Sequence, residues 1–262
     1  MKWLLALPAI GAVAVLMTMT GRGGGNFYVP LLVAVGAPMH VAAASGQFIL
    51  LATAAAAAVL FHRHRAVDWK LALVIDPPTD IMAFAGGYLS AYIAGTTLKL
   101  IMAGLLVLAG LAMLLRVKDR RVEPRRRFGF WRREFAGEAY TVNLWLALPI
   151  TAATGLVAGA VGISGGSFKV PLMVLACGVP MRVAVGTSSV MIAATAAMGL
   201  AGHAVQGHFD VYWALPMAGV AVLGGVVGSR FALKTKPKRL KTLFALTTLA
   251  AAAFMATHAV LS

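Results

Sequence analysis

Charge is scarce in this chain, and acid scarcer still. Only 12% of its 262 residues are charged, with eight acidic residues against 23 basic ones. An ordinary soluble domain carries roughly twice that charged fraction, which excludes a water-exposed globule. There is one cysteine, Cys177 in "LMVLACGVP", so no disulfide can form within the chain and no cysteine metal site can be assembled. Its apolar flanks predict a packed core thiol. No P-loop, HExxH, dinucleotide fingerprint or GxSxG occurs in a strand-to-helix context. The lack of a nucleotide site argues against an ATP-driven process, and the lack of a catalytic constellation argues against an enzyme. His203 and His208 are five apart, off one helical face and without a third ligand nearby, so no metal is expected. No cofactor is implied.

What the chain does have is apolar length. Hydrophobic residues make up 60% of it, in runs at 3–20, 41–61, 71–94, 97–115, 144–163, 183–206, 211–229 and 243–261. A spanning helix needs about 20 mostly apolar residues, so the expected class is an all-α polytopic protein of the inner (plasma) membrane. Lys2 and the run after it resemble a signal peptide, but no A-x-A cleavage site follows and the matching run 144–163 is internal. Residues 1–20 are therefore expected to be retained. The net charge of +15 is local: segments 62–70, 116–134 and 230–241 hold 3 + 9 + 6 = 18 of the 23 basic residues. Short basic loops between apolar spans mark the cytoplasmic side, where anionic lipid is the partner, and not a nucleic-acid surface.

The two halves of the chain align. "GGNFYVPLLVAVGAPMHVAAASGQ" (24–47) matches "GGSFKVPLMVLACGVPMRVAVGTSS" (165–189) with one extra residue in the second copy. Beyond it the offset stays at 142, pairing Asp68 with Asp210, Gly86 with Gly228, Lys99 with Lys241 and Met113 with Met255. Three units follow: a first membrane repeat (1–115), a basic cytoplasmic linker (116–140) and a second membrane repeat (141–262). Internal duplication is a transporter signature. Each half reads as an apolar helix, a glycine break, a short apolar piece (27–36; 168–177) and three long transmembrane helices. If the first helix and the short piece form a hairpin, re-entrant or fully spanning, the net crossing is zero and three long helices make the total odd. All three basic segments then share one side, which makes the repeats inverted and puts both termini outside the cytoplasm.

The breaks are "GRGGGNFYVP" (21–30) and "GISGGSFKVP" (162–171). Three glycines in a row end a helix. Asn26 and Ser167 are good N-cap types, preceded by Gly23, Gly24 and Gly25 and by Ser164, Gly165 and Gly166. Such stretches let several N–H groups converge on a small anion at a helix start. The bland alternative is that the glycines only permit close helix contact. A second polar pair, "AASGQF" (43–48) and "VGTSSV" (185–190), offers Ser45 and Gln47, and Thr187 and Ser188, as uncharged oxyanion contacts. They could equally bond back to their own helix.

This duplicated pattern, "GGGN" then "VP" in one half and "GISGG", "VP" and "GTS" in the other, resembles the TauE/SafE family of sulfite and organosulfonate exporters. The resemblance spans nearly the whole chain. It implies export of small sulfur-containing anions, with a small anionic substrate as partner and a homodimer admitted. Ser45-Gly46-Gln47 departs from the Gly186-Thr187-Ser188 pattern, which leaves the substrate open.

Asp76 and Asp80 in "VIDPPTDIM" (74–82) have no acidic counterparts, the offset giving Ala218 and Val222. Intramembrane carboxylates usually face a cavity or a partner and can carry protons, and Pro77 and Pro78 should open the helix there. They are candidate coupling residues, unless Asp76 only caps a helix at the interface. Lys99 and Lys241 read as snorkelling residues, and Lys169 and Arg182 as positive charge near the second short helix. Gly86, Gly87, Gly224, Gly225 and Gly228 should let helices slide closely. The expected function is a secondary transporter with alternating access. The alternatives are a proton- or cation-coupled carrier of another solute using Asp76 and Asp80, or a non-transporting assembly factor. The breaks are expected to hold an anion without a buried positive charge, so that Gly24→Leu and Gly165→Leu abolish binding in a folded protein. An accessibility tag at the C-terminus should report the non-cytoplasmic side; a cytoplasmic signal would refute the inverted arrangement.

Overall fold

The computed structural model describes residues 6–98, 100, 101, 104, 128–236, 239, 242, 243 and 246. The first repeat contributes α1 (Ala6–Met19), α2 (Gly25–Ala34), α3 (Met39–Arg63), α4 (Trp69–Ile75) and α5 (Pro77–Leu89). Strands β1 (Phe130–Phe135) and β2 (Glu138–Asn143) follow. The second repeat contributes α6 (Leu144–Val161), α7 (Gly166–Pro171) with a π-turn over Leu172–Ala176, α8 (Met181–Val205) and α9 (Val211–Lys234). Most of the runs 97–115 and 243–261, with Lys99 and Lys241, lies outside the described residues.

Among the described residues four helices, α3, α6, α8 and α9, are long and apolar enough to cross a membrane. The run 71–94 is broken at Asp76, as its prolines require: Pro77 and Pro78 occupy the first turn of α5, where a missing N–H costs nothing. The short pieces start two residues earlier than expected, at Gly25 and Gly166.

The repeat persists in the elements. Helices α3 and α8 start at Met39 and Met181, an offset of 181 − 39 = 142, each after an extended proline and each 25 residues long. Asp68 and Asp210 cap α4 and α9 by accepting from backbone N–H groups of the first turn. The halves interlock: α1 packs on α9 and α6 on α5, α3 packs on α9 and α8 on α5, and α3 and α8 cross at the centre. Exchanging the halves maps each of these contacts onto another. The aligned glycines make the outer contacts possible. A methyl group on Gly228 would press on the Val15 carbonyl of α1, and one on Gly86 on the Leu156 carbonyl of α6.

One element departs from the all-α expectation. The linker's last part is a β-hairpin, with Phe130 opposite Asn143 and Phe135 opposite Glu138, turning through Ala136 and Gly137 at φ 55° and 79°. β2 runs across the 140/141 boundary drawn between linker and second repeat. The reason lies in its alternation of aromatic and β-branched residues. Tyr140 and Val142 bury among Val170, Met173 and Cys177, which confirms the packed thiol. Polar bonds then fix the hairpin. Arg133 donates to Asp68 through Nε (2.9 Å) and Nη2 (3.1 Å), and the Tyr140 hydroxyl donates to the same carboxylate at 2.5 Å. The Asp68 N–H donates to Thr187 Oγ1 (3.0 Å). Burial pushes the Asp68 carboxyl up, but the bonds from Arg133, Tyr140 and the Leu71 N–H outweigh it and hold the group below its ordinary value.

Asp68→Ala should therefore free the hairpin and cost about 2 kcal/mol, since buried donors lose a charged acceptor. Faster hydrogen exchange across 130–143 is the expected reading. Because the folded carboxyl is depressed, this contribution is complete above the ordinary aspartate range and is lost only as pH falls through the lower folded value. Protection factors across the hairpin, which divide out the intrinsic pH dependence of exchange, should therefore be flat at neutral pH and fall in acid.

Candidate functional site

The two helix breaks are built differently. In the first, Gly21, Gly23 and Gly24 all take positive φ (72°, 70° and 96°), and Gly24 is the N-cap of α2. In the second, Gly162 ends α6 at φ 77° and Gly165 caps α7 at an ordinary φ of −62°. The tips touch. A methyl group on Gly25 would lie 2.7 Å from the Ser164 nitrogen, and one on Gly166 would lie 2.7 Å from the Gly21 carbonyl oxygen. Close contact therefore accounts for Gly25 and Gly166.

The expectation that Asn26 and Ser167 are N-caps is overturned, because glycines hold the cap positions and both polar residues fall inside the first turn. Their side chains bond to each other across the repeats instead. Asn26 Nδ2 donates to Ser167 Oγ (2.8 Å), and Arg22 Nε donates to the same oxygen (3.1 Å). A hydroxyl accepting twice keeps its own proton free to donate. The N–H groups of Gly25 and Asn26 precede the hydrogen-bond ladder of α2, which starts with Phe27 donating to the Gly24 carbonyl at 2.9 Å.

All twelve residues expected to bind substrate are buried, but they do not form one ring. Gly25, Asn26, Gly166 and Ser167 meet at the junction of the tips, whereas Gly24 faces Tyr28 of its own helix and Gly165 faces Lys169 and Thr154. Gly23 packs against Leu50 and Ile192, and Ser164 Oγ accepts from the Gly166 N–H (3.1 Å), closing the turn. Ser188 Oγ donates to the Gly21 carbonyl (2.8 Å), tying α8 to the first break. Gln47 Nε2 donates to the Ala158 carbonyl of α6 (2.8 Å). Thr187 is spent on Asp68 at the linker side and is not brought to the tips. Among these twelve residues three buried atoms have no hydrogen-bond partner: Asn26 Oδ1, Ser45 Oγ and Gln47 Oε1.

A second expectation fails outright. The breaks do not avoid buried positive charge: Arg22 and Lys169 are each 1% exposed. Lys169 Nζ forms an ion pair with Asp76 and donates to Thr195 Oγ1 (2.7 Å), and Thr195 is within 2.9 Å of Asp80 Oδ1. The fold thus carries both aspartates from the first repeat to the second break. Asp76 sits at the cap position of α5, but its side chain makes no capping bond. A lysine inside "SFKVP", flanked by apolar residues, was the available signal for this cluster. Thr195 was missed because hydroxyls are common in apolar helices; its alignment with Thr53 at offset 142 could have marked it. Arg182 donates to the Leu233 carbonyl (3.0 Å) at an exposed helix end, away from both breaks.

The glycines of the two breaks should also respond differently to substitution. At Gly24, φ is 96° and a Cβ would fall 2.6 Å from Tyr28 Oη, so Gly24→Leu should destabilise the fold as well as disturb the break. At Gly165 the nearest atom would be the flexible Lys169 Cε at 3.3 Å. Gly24→Ala should cost about 1–2 kcal/mol, whereas Gly165→Ala should be close to neutral; denaturation of the purified variants in detergent distinguishes them.

The profile of the sulfite exporter TauE/SafE family matches residues 6–255. A probable membrane transporter protein of Bacillus subtilis (strain 168), YunE, is 26% identical over 235 residues, covering 85% of this chain and 86% of its own. A second from the same organism, YdhB, is 22% identical over 219 residues, covering 83% and 85%. A probable membrane transporter protein of Xylella fastidiosa (strain 9a5c) is 38% identical over 98 residues, 35% of this chain and 37% of that one. No solved structure matches. The chain belongs to the TauE/SafE family and is a multi-pass membrane protein.

Proposed function

We propose that this TauE/SafE-family protein is a secondary transporter of small oxyanions, exporting sulfite or an organosulfonate across the inner membrane. The observation that carries the reading is the meeting of two repeat-related helix breaks at Arg22, Asn26 and Ser167. A guanidinium matches the planar or pyramidal oxygens of a sulfur oxyanion. The Ser167 proton and the first N–H groups of α2 add donors that need no further charge. Ser45 and Gln47 lie one helix away, and Ser188 holds the Gly21 turn that aims Arg22. The relatives named as probable membrane transporters share this length of chain, which supports transport rather than assembly as the activity.

Inverted repeats fit the way the halves interlock. On this reading α1 with α9 and α6 with α5 are equivalent units that rock about the α3–α8 crossing, with the anion near the midplane. A cation site at Asp76 and Asp80 is the weaker reading, because Lys169 already neutralises Asp76. The basic cytoplasmic segments would sit against anionic lipid.

The test is thermal stabilisation of the purified protein by sulfite, sulfate, thiosulfate, sulfoacetate and small carboxylates, with Na⁺ as control. A bound anion at a hundredfold excess over its Kd should add about 2.7 kcal/mol. Sulfite or a sulfonate should stabilise, Na⁺ should not, and Arg22→Gln should weaken binding at least about tenfold, the loss expected for a charged hydrogen bond. Stabilisation by Na⁺ alone, or by no anion, would sink the proposal.

A further inference from the structure

We infer that Lys169 and Asp76 are the coupling element of this transporter: an anion entering at Arg22, Asn26 and Ser167 passes to the Lys169 ammonium, two residues further along α7, which exchanges the Asp76 carboxylate for it, and the released Asp76 takes up one proton. This rests on the anion reading above and assigns the residues that would make transport depend on protons.

Position comes first. Lys169 Nζ would lie 3.8 Å from a Cβ on Gly165, so the ammonium sits beside the cap of the second broken helix. Both partners are buried, with side chains 1% and 6% exposed. A buried ion pair is weak evidence for stability, since neutral residues of similar volume often serve the fold as well.

The other repeat demonstrates that substitution. At offset 141 the residue equivalent to Lys169 is Tyr28, and at offset 142 Thr195 corresponds to Thr53, Asp76 to Ala218 and Asp80 to Val222. The Tyr28 hydroxyl lies 3.4 Å from Thr53 Oγ1, and Thr53 donates to the Ile49 carbonyl at 2.7 Å, just as Thr195 reaches Met191 at 2.8 Å. The equivalent pair of positions, Tyr28 and Thr53, therefore packs without charge. The charged version in the second half has a purpose that the neutral version in the first half does not share.

Charge conservation supplies that purpose. In the empty state Lys169⁺ and Asp76⁻ sum to zero. When a monovalent anion leaves Arg22 and takes the Lys169 N–H donors, an ionised Asp76 would leave one uncompensated negative charge at that position in the membrane interior, which a low-dielectric surrounding disfavours. One proton, forming an O–H bond on Asp76, restores the sum to zero. It would come from solvent by way of Asp80, which is half-buried and one turn beyond Asp76 on α5. Between Asp80 and Lys169 stands Thr195, which accepts from Lys169 and has one proton for two acceptors, Asp80 Oδ1 at 2.9 Å and the Met191 carbonyl at 2.8 Å. When Asp80 is protonated, its O–H can donate to Thr195 Oγ1 while the Thr195 proton turns to the Met191 carbonyl. Among the described residues the charged groups facing Asp76 are Lys169 and Asp80; α6 brings no titratable side chain, and α8 brings none between Arg182 and His203.

The test is the Kd for sulfite from pH 6 to 8 in the full-length wild type and in Asp76→Asn. Sulfite's own titration is common to both proteins, so the ratio of the two constants isolates Asp76. Kd(wild type)/Kd(Asp76→Asn) should rise toward tenfold per pH unit, the slope for one linked proton. A flat ratio overturns the inference. Should Asp76→Asn fail to fold with Lys169 left buried, the paired exchange Asp76→Ala with Lys169→Tyr installs the residues of the other repeat. It should fold, and bind sulfite at least tenfold more weakly than wild type; wild-type affinity and pH dependence in that variant also overturn the inference. Sulfite that binds the wild type without this linkage leaves the anion reading standing and removes the coupling element, whereas no sulfite binding at any pH removes both.

Discussion

A helix cannot be broken inside a bilayer without giving its freed N–H and C=O groups somewhere to go. Here each break is answered by the other. The Gly21 carbonyl receives Ser188 and lies against Gly166; the Ser164 nitrogen lies against Gly25; Asn26 and Arg22 converge on Ser167. Neither repeat could bury its tip alone. The mutual contact dictates that the halves interlock rather than sit side by side, with α1 against α9 and α6 against α5.

That constraint explains which parts of the molecule could be read from the sequence. Breaks, spans and duplication are local in origin: glycine runs, apolar lengths and a fixed offset of 142 carry them, and the kink at Asp76 follows from Pro77 and Pro78. The β-hairpin was hidden because its positive charge masked its alternation; Trp131, Phe135, Tyr140 and Val142 were the signal within a stretch dominated by arginine. The polar side chains were harder. Asn26 and Ser167 have the chemistry of caps, and only the approach of the opposite tip turns them toward each other. Lys169 and Asp76 are 93 residues apart, and no periodicity in either repeat joins them. Pairings across the repeats are made by packing, which a single sequence does not encode locally.

Duplication has also left the halves chemically unequal. The first break places three glycines in the left-handed region, which glycine alone enters without steric cost, and carries Arg22. The second has one such glycine, Gly162, and carries Lys169, whose carboxylate partner comes from the first repeat. Shared packing and divergent side chains give the two halves different polar chemistry.

The hairpin extends that inequality to mechanics. Asp68 is a three-way joint: its carboxylate holds the linker through Arg133 and Tyr140, its backbone belongs to the first repeat, and its N–H is bonded to Thr187 in the second. Among the described residues its counterpart Asp210 is bonded to the start of its own helix, while the neighbouring His208 and Phe209 rings pack on His40 and Phe48 of the first repeat. A displacement of α4 against α8 would stretch charge-assisted bonds at Asp68, whereas the matching displacement would slide rings past one another at His208 and Phe209. The two ends of the duplicated molecule therefore differ in stiffness: one is held by directional bonds, the other by contacts that tolerate sliding.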